Sequence, residues 1–284
     1  MSFVISTDSG ANIPMNIIKD NNLIVIPLAF IYDGVEHTVI NLDEFDGHEY
    51  YELIKTTDVT TSTVNPQQYF DEWEPFLKDG KDILHISMSS GISSTYQSSC
   101  IARDMALEDY PDRKVLTIDT YAASLGEALS VFEAIDLKKE GKDIDEIYEI
   151  ILKDRHSVRQ VFTVDDLMFL QKGGRLSKAA ALIGSMLSIK PILQGNEIGQ
   201  IVVDHKERGR KSALKALVKD YAEKVLDPNK VATIAHSDCI EDTNWVISEI
   251  QKIHPEQKFI TEVYEPVTGC HVGPRTVALF YYRK

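Results

Sequence analysis

The chain has 284 residues, 43% of them hydrophobic and 26% charged, and its 30 Lys and Arg against 44 Asp and Glu give a formal net charge of -14. This composition is globular rather than disordered, and the length accommodates one large domain or two modest ones. The acidic balance excludes recognition of nucleic acid or of an anionic membrane through bulk electrostatics, because such partners require a basic footprint.

The N-terminal residues have no basic segment ahead of an apolar one, so they are predicted to form a strand over 3–5 rather than a secretory signal. Strand-like apolar runs follow at 23–31, 83–86 and 115–118, and stretches at 66–77, 95–108 and 122–139 have helical spacing. Such alternation is the signature of parallel α/β architecture. Asn65-Pro66 marks a helix start, with an N-cap and then proline at the first helical position, where a missing N–H costs nothing. A charged, helix-favouring stretch over 141–155, containing Lys142-Asp143-Ile144-Asp145-Glu146, is the candidate domain boundary. Beyond it come a strand over 158–163, helices over 165–172 and 177–187, and a hairpin pairing 188–193 with 198–203 around Gln194-Gly195-Asn196. Helices over 208–225 and 242–253 then alternate with strands over 231–235 and 258–263. The expected fold class is α/β with two domains: an N-terminal parallel-sheet α/β domain over 1–155 and a C-terminal α+β domain with a mixed sheet over 156–284. No run reaches the roughly 18 apolar residues of a membrane span. Cys100, Cys239 and Cys270 stand far apart and lack zinc-ligand spacing, so no metal is expected and a reducing cytoplasm is the natural compartment.

Chemistry is sought where strands turn into helices. Ser87-Met88-Ser89-Ser90-Gly91-Ile92-Ser93-Ser94-Thr95 follows one strand and opens a helix, so unpaired amides, hydroxyls and the helix dipole all favour an anion there. Capping alone needs one hydroxyl, and this loop holds many more. Two further turns, Thr56 to Pro66 and Thr7-Asp8-Ser9-Gly10, are also rich in hydroxyls, and Asp8 is either a ligand contact or a helix cap. Lys172-Gly173-Gly174-Arg175-Leu176-Ser177 reads as the end of one helix and the cap of the next, which accounts for the glycines but not for Arg175. It lacks phosphate-loop spacing. His271, in Gly269-Cys270-His271-Val272-Gly273-Pro274-Arg275, is expected in a tight loop, either structural or facing a site.

Taken in order, Thr7-Asp8-Ser9-Gly10, Thr61-Ser62-x-x-Asn65-Pro66, the run from Ile86 to Gln97, Ile118-Asp119-Thr120, Lys172 to Ser177 and His271-Val272-Gly273-Pro274 resemble the DegV family over essentially the whole chain. The characterised members of that family are bacterial fatty-acid-binding proteins. The resemblance implies a fatty acid in a tunnel between two domains, with the carboxylate bound by Thr61 and Ser93, Ser62 and Ser94 beside them, and amides near Ser93 and Ser94 assisting. It places Arg175 and His271 at the carboxylate end, where they help present it to a separate ATP-dependent fatty acid kinase that makes acyl-phosphate for phospholipid synthesis. It implies no cofactor and no catalytic residue of the chain's own. The sequence departs from the usual family pattern at Ser94 (commonly Gly), Thr63-Val64 (commonly Gln-Pro) and Arg275 (commonly Gly). Candidate tunnel wall comes from Ala29-Phe30-Ile31 and from 179–187, a small-residue apolar stretch that reads equally as a core helix.

Two other classes fit parts of the pattern. Gly91-Ile92-Ser93-Ser94-Thr95 is one glycine short of a nucleophile elbow, with Asp119 and His271 following in hydrolase order, so a serine esterase is one alternative. The branched Thr95 stands where that elbow needs a small residue. A binder of phosphate-bearing ligands is the other, since hydroxyl-rich loops at helix starts suit phosphate equally.

Overall fold

The computed structural model describes residues 2–177 and 188–284, so nearly all of the helix expected over 177–187 lies outside the described residues. In chain order the N-terminal part contains β1 (Phe3–Asp8), α1 (Met15–Asn21), β2 (Ile24–Ile26), β3 (Ala29–Tyr32), β4 (Val35–Thr38), α2 (Gly47–Leu53), β5 (Thr60–Ser62), α3 (Pro66–Lys78), β6 (Asp82–Ser87), α4 (Thr95–Asp109), β7 (Val115–Asp119), α5 (Leu125–Lys139) and α6 (Ile144–Asp154). The rest contains β8 (Val158–Thr163), α7 (Met168–Lys172), β9 (Ile189–Gly195), β10 (Ile201–Arg208), α8 (Arg210–Lys224), β11 (Ala232–His236), α9 (Ile240–Ile253), β12 (Phe259–Val263), α10 (Pro266–Val272) and β13 (Val277–Tyr282).

Strands β2-β1-β6-β7 form a parallel sheet in that order. Every residue of β1 and β6 is buried, as a central strand covered on both faces requires. A mixed sheet, β10-β9-β8-β13-β11-β12, occupies the second part, with β11 and β12 its one parallel pair. β13 shows period-two alternation: Ala278, Phe280 and Tyr282 join the core shared with the parallel sheet, while Val277, Leu279 and Tyr281 face α8 and α9.

The structure divides the run over 23–31 that reads as one strand. Pro27 has no N–H to continue a ladder, so β2 stays in the parallel sheet and β3 leaves for a small antiparallel sheet, β4-β3-β5. Asp33 (φ 51) and Gly34 (φ 74) make the tight turn between β3 and β4, the positive-φ pair that two-residue hairpins favour. Thr60–Ser62, read from sequence as part of a loop, is the third strand of this sheet. The charged stretch over 141–155 is largely α6, whose Asp143–Glu146 capping box starts an amphipathic helix with Ile144, Ile147 and Ile151 buried.

Helix α5 is buried almost all round because it lies between the sheets, touching β1 and β6 as well as β8, β11 and β13. Gly126 permits the close approach, since a Cβ there would lie 2.7 Å from the Phe280 ring. The same helix carries Glu127 into the core, where its Oε1 accepts a hydrogen bond from Thr7 Oγ1 at 2.9 Å. Glu127 lies near the fully buried Asp8, and its Oε2 has no hydrogen-bond partner among the described residues. Both Asp8 oxygens accept from backbone amides, Gly10 at 2.9 Å and Met88 at 3.2 Å, whereas Glu127 has only the Thr7 hydroxyl. Burial, then the neighbouring Asp8 charge, holds the Glu127 carboxyl well above the usual range, and burial raises Asp8 to about 7 against the pull of the two amides.

A carboxyl raised in this way opposes folding as pH climbs past its unfolded value of about 4.3, because the unfolded chain ionises first. Glu127→Gln removes the ionisable group, so its urea-unfolding free energy is expected to fall less than wild type between about pH 4 and about pH 8. Glu127→Ala is expected to cost about 2–3 kcal/mol, from a cavity and an unpaired Thr7 hydroxyl. An unchanged pH slope in Glu127→Gln would refute the raised Glu127 carboxyl.

Candidate functional site

Between the small sheet, the loop after β6, α10 and the inner face of the mixed sheet lies a cavity with about 970 Å³ of empty space, part of it open to solvent. Its apolar lining comes from Leu28, Met88, Ile92, Phe162, Ile201 and Phe280, among others. Thr61, Ser62, Thr63, Ser93, Arg175 and His271 also line it, and the bonds described below draw Thr61, Arg175 and His271 together around the Ile92-Ser93 backbone.

The loop after β6 owes its shape to contacts made by its own polar groups. Asp8 holds the Met88 amide, Asp119 Oδ1 accepts from the Ser90 amide at 3.1 Å, and Ser89 Oγ donates to Gly199 O at 2.9 Å. Loop and hairpin turn meet backbone to backbone: a Cβ on Gly91 would lie 2.5 Å from Ile198 O, and one on Gly199 would lie 1.9 Å from Ser89 Oγ. Ser93 Oγ accepts from the Thr95 amide at 3.2 Å and lies 2.6 Å from Thr95 Oγ1, so it starts α4 while still lining the cavity. The Ser93 amide is spent on Ser89 O, whereas the Ser94 amide has no hydrogen bond among the described residues. The Ser94 side chain is exposed, outside the cavity lining, and pairs with Thr63 Oγ1 at 3.2 Å.

β5 brings Thr61 in from the opposite wall. Its Oγ1 lies 3.1 Å from His271 Nε2, a contact spanning 210 residues of sequence. His271 stands in the last turn of α10, not in the tight loop expected from its glycine and proline neighbours. Glu265 caps that helix through the Val267 and Thr268 amides, and Tyr50 and Tyr51 of α2 anchor its start by donating to Pro266 O at 2.6 Å and Tyr264 O at 2.9 Å. The Nδ1 edge of the imidazole meets Gly173, where a Cβ would lie 2.2 Å from His271 Nδ1.

Arg175 completes the cluster. Its Nε donates to Ile92 O at 2.9 Å and its Nη1 to Gly173 O at 2.6 Å. Among the described residues no carboxylate pairs with it, although the chain carries 44 acidic side chains. Burial pulls the guanidinium below its usual pKa without bringing it near neutrality. Among the described residues, the cavity therefore holds a cation with no carboxylate to compensate its charge. Lys172 and Arg275, by contrast, are paired elsewhere, Lys172 with Asp58 and Arg275 with Asp165 and Asp242. Arg275 has φ 60, a conformation that explains why glycine suits this position.

The remaining expected residues fall outside the cavity lining. Leu28, rather than Ala29-Phe30-Ile31, forms the wall on the side of β3, and the stretch over 179–187 lies outside the described residues. Asp119 accepts from the amides of Ser90 and Tyr121, so the hydrogen bonds among described residues join neither Ser93 to His271 nor His271 to Asp119. Sequence reasoning missed Gln160, which accepts from Ala123 N at 3.1 Å and donates to Tyr121 O at 2.8 Å, fixing the turn into α5 beside the cavity. It sits on a strand between Arg159 and Val161, and no short motif marks it.

Burial, and secondarily the Arg175 charge, push the His271 imidazole down to about 3, so it is neutral at physiological pH. The unfolded imidazole protonates near pH 6.5, so this group withdraws stability as pH falls from there toward 3. In ring-nitrogen NMR, the His271 midpoint is expected below about pH 4 and higher in Arg175→Gln. A wild-type midpoint near 6.5 would overturn the buried neutral state.

A model of the family described as "uncharacterised protein, DegV family" matches residues 2–284. A DegV domain-containing protein of Clostridium perfringens is 38% identical over 282 residues, covering 98% of this chain and 97% of the relative. Among solved structures, DegV of Bacillus subtilis, described as a fatty acid binding protein, superposes with a TM-score of 0.85 at 29% identity, covering 100% of both chains. A fatty acid binding DegV family protein of Streptococcus agalactiae gives 0.86 at 28% identity, covering 100% of this chain and 99% of that one. With its parallel and mixed sheets, its hydroxyl-rich loop and a sequence match running from residue 2 to the last, the chain belongs to the DegV family.

Proposed function

We propose that this protein binds one long-chain fatty acid, tail in the apolar cavity and carboxylate beside Thr61, Ser93 and Arg175, and presents that carboxylate to a separate fatty acid kinase. The observation that carries the reading is the uncompensated Arg175 at the polar part of an otherwise apolar cavity. Such a cavity suits an amphiphile with an anionic head. The related proteins from Bacillus subtilis and Streptococcus agalactiae, both described as fatty acid binding, support it. The kinase step rests on the family resemblance.

The energetics are consistent. A buried sixteen-carbon tail gains on the order of 10 kcal/mol at about 0.8 kcal/mol per methylene, while an unpaired buried carboxylate forfeits several. Arg175, already committed to two carbonyls, acts more as a nearby positive charge than as a free bidentate clamp. The Ser93 and Thr61 hydroxyls then donate to the carboxylate without drawing off its nucleophilicity, which suits a group awaiting phosphorylation. This reading gives the chain no bond-making step of its own. It divides the chain at 155/156, where α6 has ended and the mixed sheet is about to begin, with the ligand between the two parts. Three free cysteines accord with a reducing cytoplasm, and no described helix is long and apolar enough to cross a membrane.

Organic extraction and mass spectrometry of the purified protein are expected to recover a long-chain fatty acid; its absence after gentle preparation counts against the reading. Wild type is expected to bind palmitate at least about tenfold tighter than hexadecanol, and Arg175→Gln to erase that preference while retaining the alcohol. A preference that survives Arg175→Gln would remove the head-group assignment. Ser93→Ala is expected to slow phosphorylation by the kinase more than it weakens lipid retention, and equal loss of both would refute that division of roles.

A further inference from the structure

Away from the cavity, α2 presents a second cluster of ligating side chains. His48 and Glu52 stand four residues apart on this helix, the spacing that stacks two side chains on one face. Asp238 reaches them from the turn between β11 and α9, 190 residues further along the chain, and its Oδ2 lies 2.8 Å from His48 Nδ1. One donor atom from each of the three side chains lies within 4.8 Å of the others, and among the described residues this is the one group of His, Cys, Asp and Glu that meets that spacing.

We propose that His48, Glu52 and Asp238 bind a divalent transition-metal ion, with Zn2+ the best-suited occupant, and that the ion ties α2 to the turn ahead of α9. One imidazole nitrogen and two carboxylates form a donor set that Zn2+ takes readily, with water completing the coordination. The two carboxylates match the charge of the ion. An imidazole in the set disfavours Mg2+ and Ca2+, which prefer oxygen ligands throughout.

The distances are close to what coordination needs. Zn–N and Zn–O bonds of about 2.1 Å at tetrahedral angles put neighbouring donors about 3.4 Å apart. The His48–Asp238 pair must open by roughly half an ångström, and no pair needs to close by more than about 1.4 Å. All three side chains are exposed, so rotamer changes alone can accomplish this. Glu52 Oε1 receives Lys55 Nζ, which leaves Oε2 for the ion. None of the three residues lines the cavity, so the proposal stands or falls apart from the fatty-acid reading. The ion would nevertheless add a tie to the helix whose Tyr50 and Tyr51 already hold the start of α10.

Calorimetric titration of the chelator-treated full chain with Zn2+, in the presence of excess Mg2+, tests this, alongside thermal unfolding with and without Zn2+. Wild type is expected to take up one equivalent and to melt at a higher temperature. His48→Ala and Asp238→Asn are each expected to weaken uptake by at least about tenfold and to lose the melting shift. Circular dichroism of the zinc-free variants confirms that each is folded. The proposal is overturned if wild type takes up no Zn2+, if Mg2+ displaces it, or if His48→Ala binds as tightly as wild type. Retention of both affinity and melting shift in Asp238→Asn would remove the bridge between the two segments.

Discussion

An unbalanced charge organises the site. Arg175 is half-buried at the cavity wall, and among the described residues it meets the carbonyls of Ile92 and Gly173 rather than an acid. Those two bonds also fix geometry. One ties the guanidinium to the loop that carries Ser93, and the other to the glycine that the Nδ1 edge of the His271 ring abuts. The imidazole in turn is kept neutral by burial and by that same cation, and reaches Thr61 through its Nε2. Four separate pieces of chain thus meet around one guanidinium, which makes two hydrogen bonds to carbonyls and has no carboxylate partner among the described residues.

A second layer of polar groups supports the first. The Ser93 loop is held from below by Asp8 and Asp119 through backbone amides, and Asp8 is itself fixed by the Gly10 amide. The carboxylates of this region are thus occupied in shaping the loop and stay away from Arg175. Thr7, Asp8, Ser89 and Asp119, which in sequence look like further candidates for ligand contact, belong to this supporting layer.

Much of this was legible in the sequence, for identifiable reasons. Parallel strands such as β1 and β6 betray themselves as continuous apolar runs because both faces are covered, and the Asn65-Pro66 start announces α3 through local chemistry alone. The small sheet was not legible. β5 is three residues long, and its hydroxyls look like those of a turn until β3 is known to lie beside it, although two adjacent threonines are a fair strand signal. Pro27 and Asp33-Gly34 carried the information that splits the run over 23–31 and folds it back, and reading them as punctuation would have found β3. For His271, glycine and proline neighbours pointed to a loop, whereas Pro266 and the Glu265 cap make the segment a helix. Gln160 and Leu28 join the wall through long-range packing that no local pattern records.

The contact between Gly91 and Gly199 has one more consequence. Where two main chains touch with no side chain between them, neither has slack, and the height of one loop is set by the path of the other. The hairpin turn after β9 therefore works as a gauge for the Ser93 loop. Its length and conformation are constrained as tightly as those of the loop itself, though it contributes only Gly199, through its backbone, to the cavity wall. Among relatives, divergence at this turn should track divergence in the loop, and the two are best regarded as one inherited unit split across the chain.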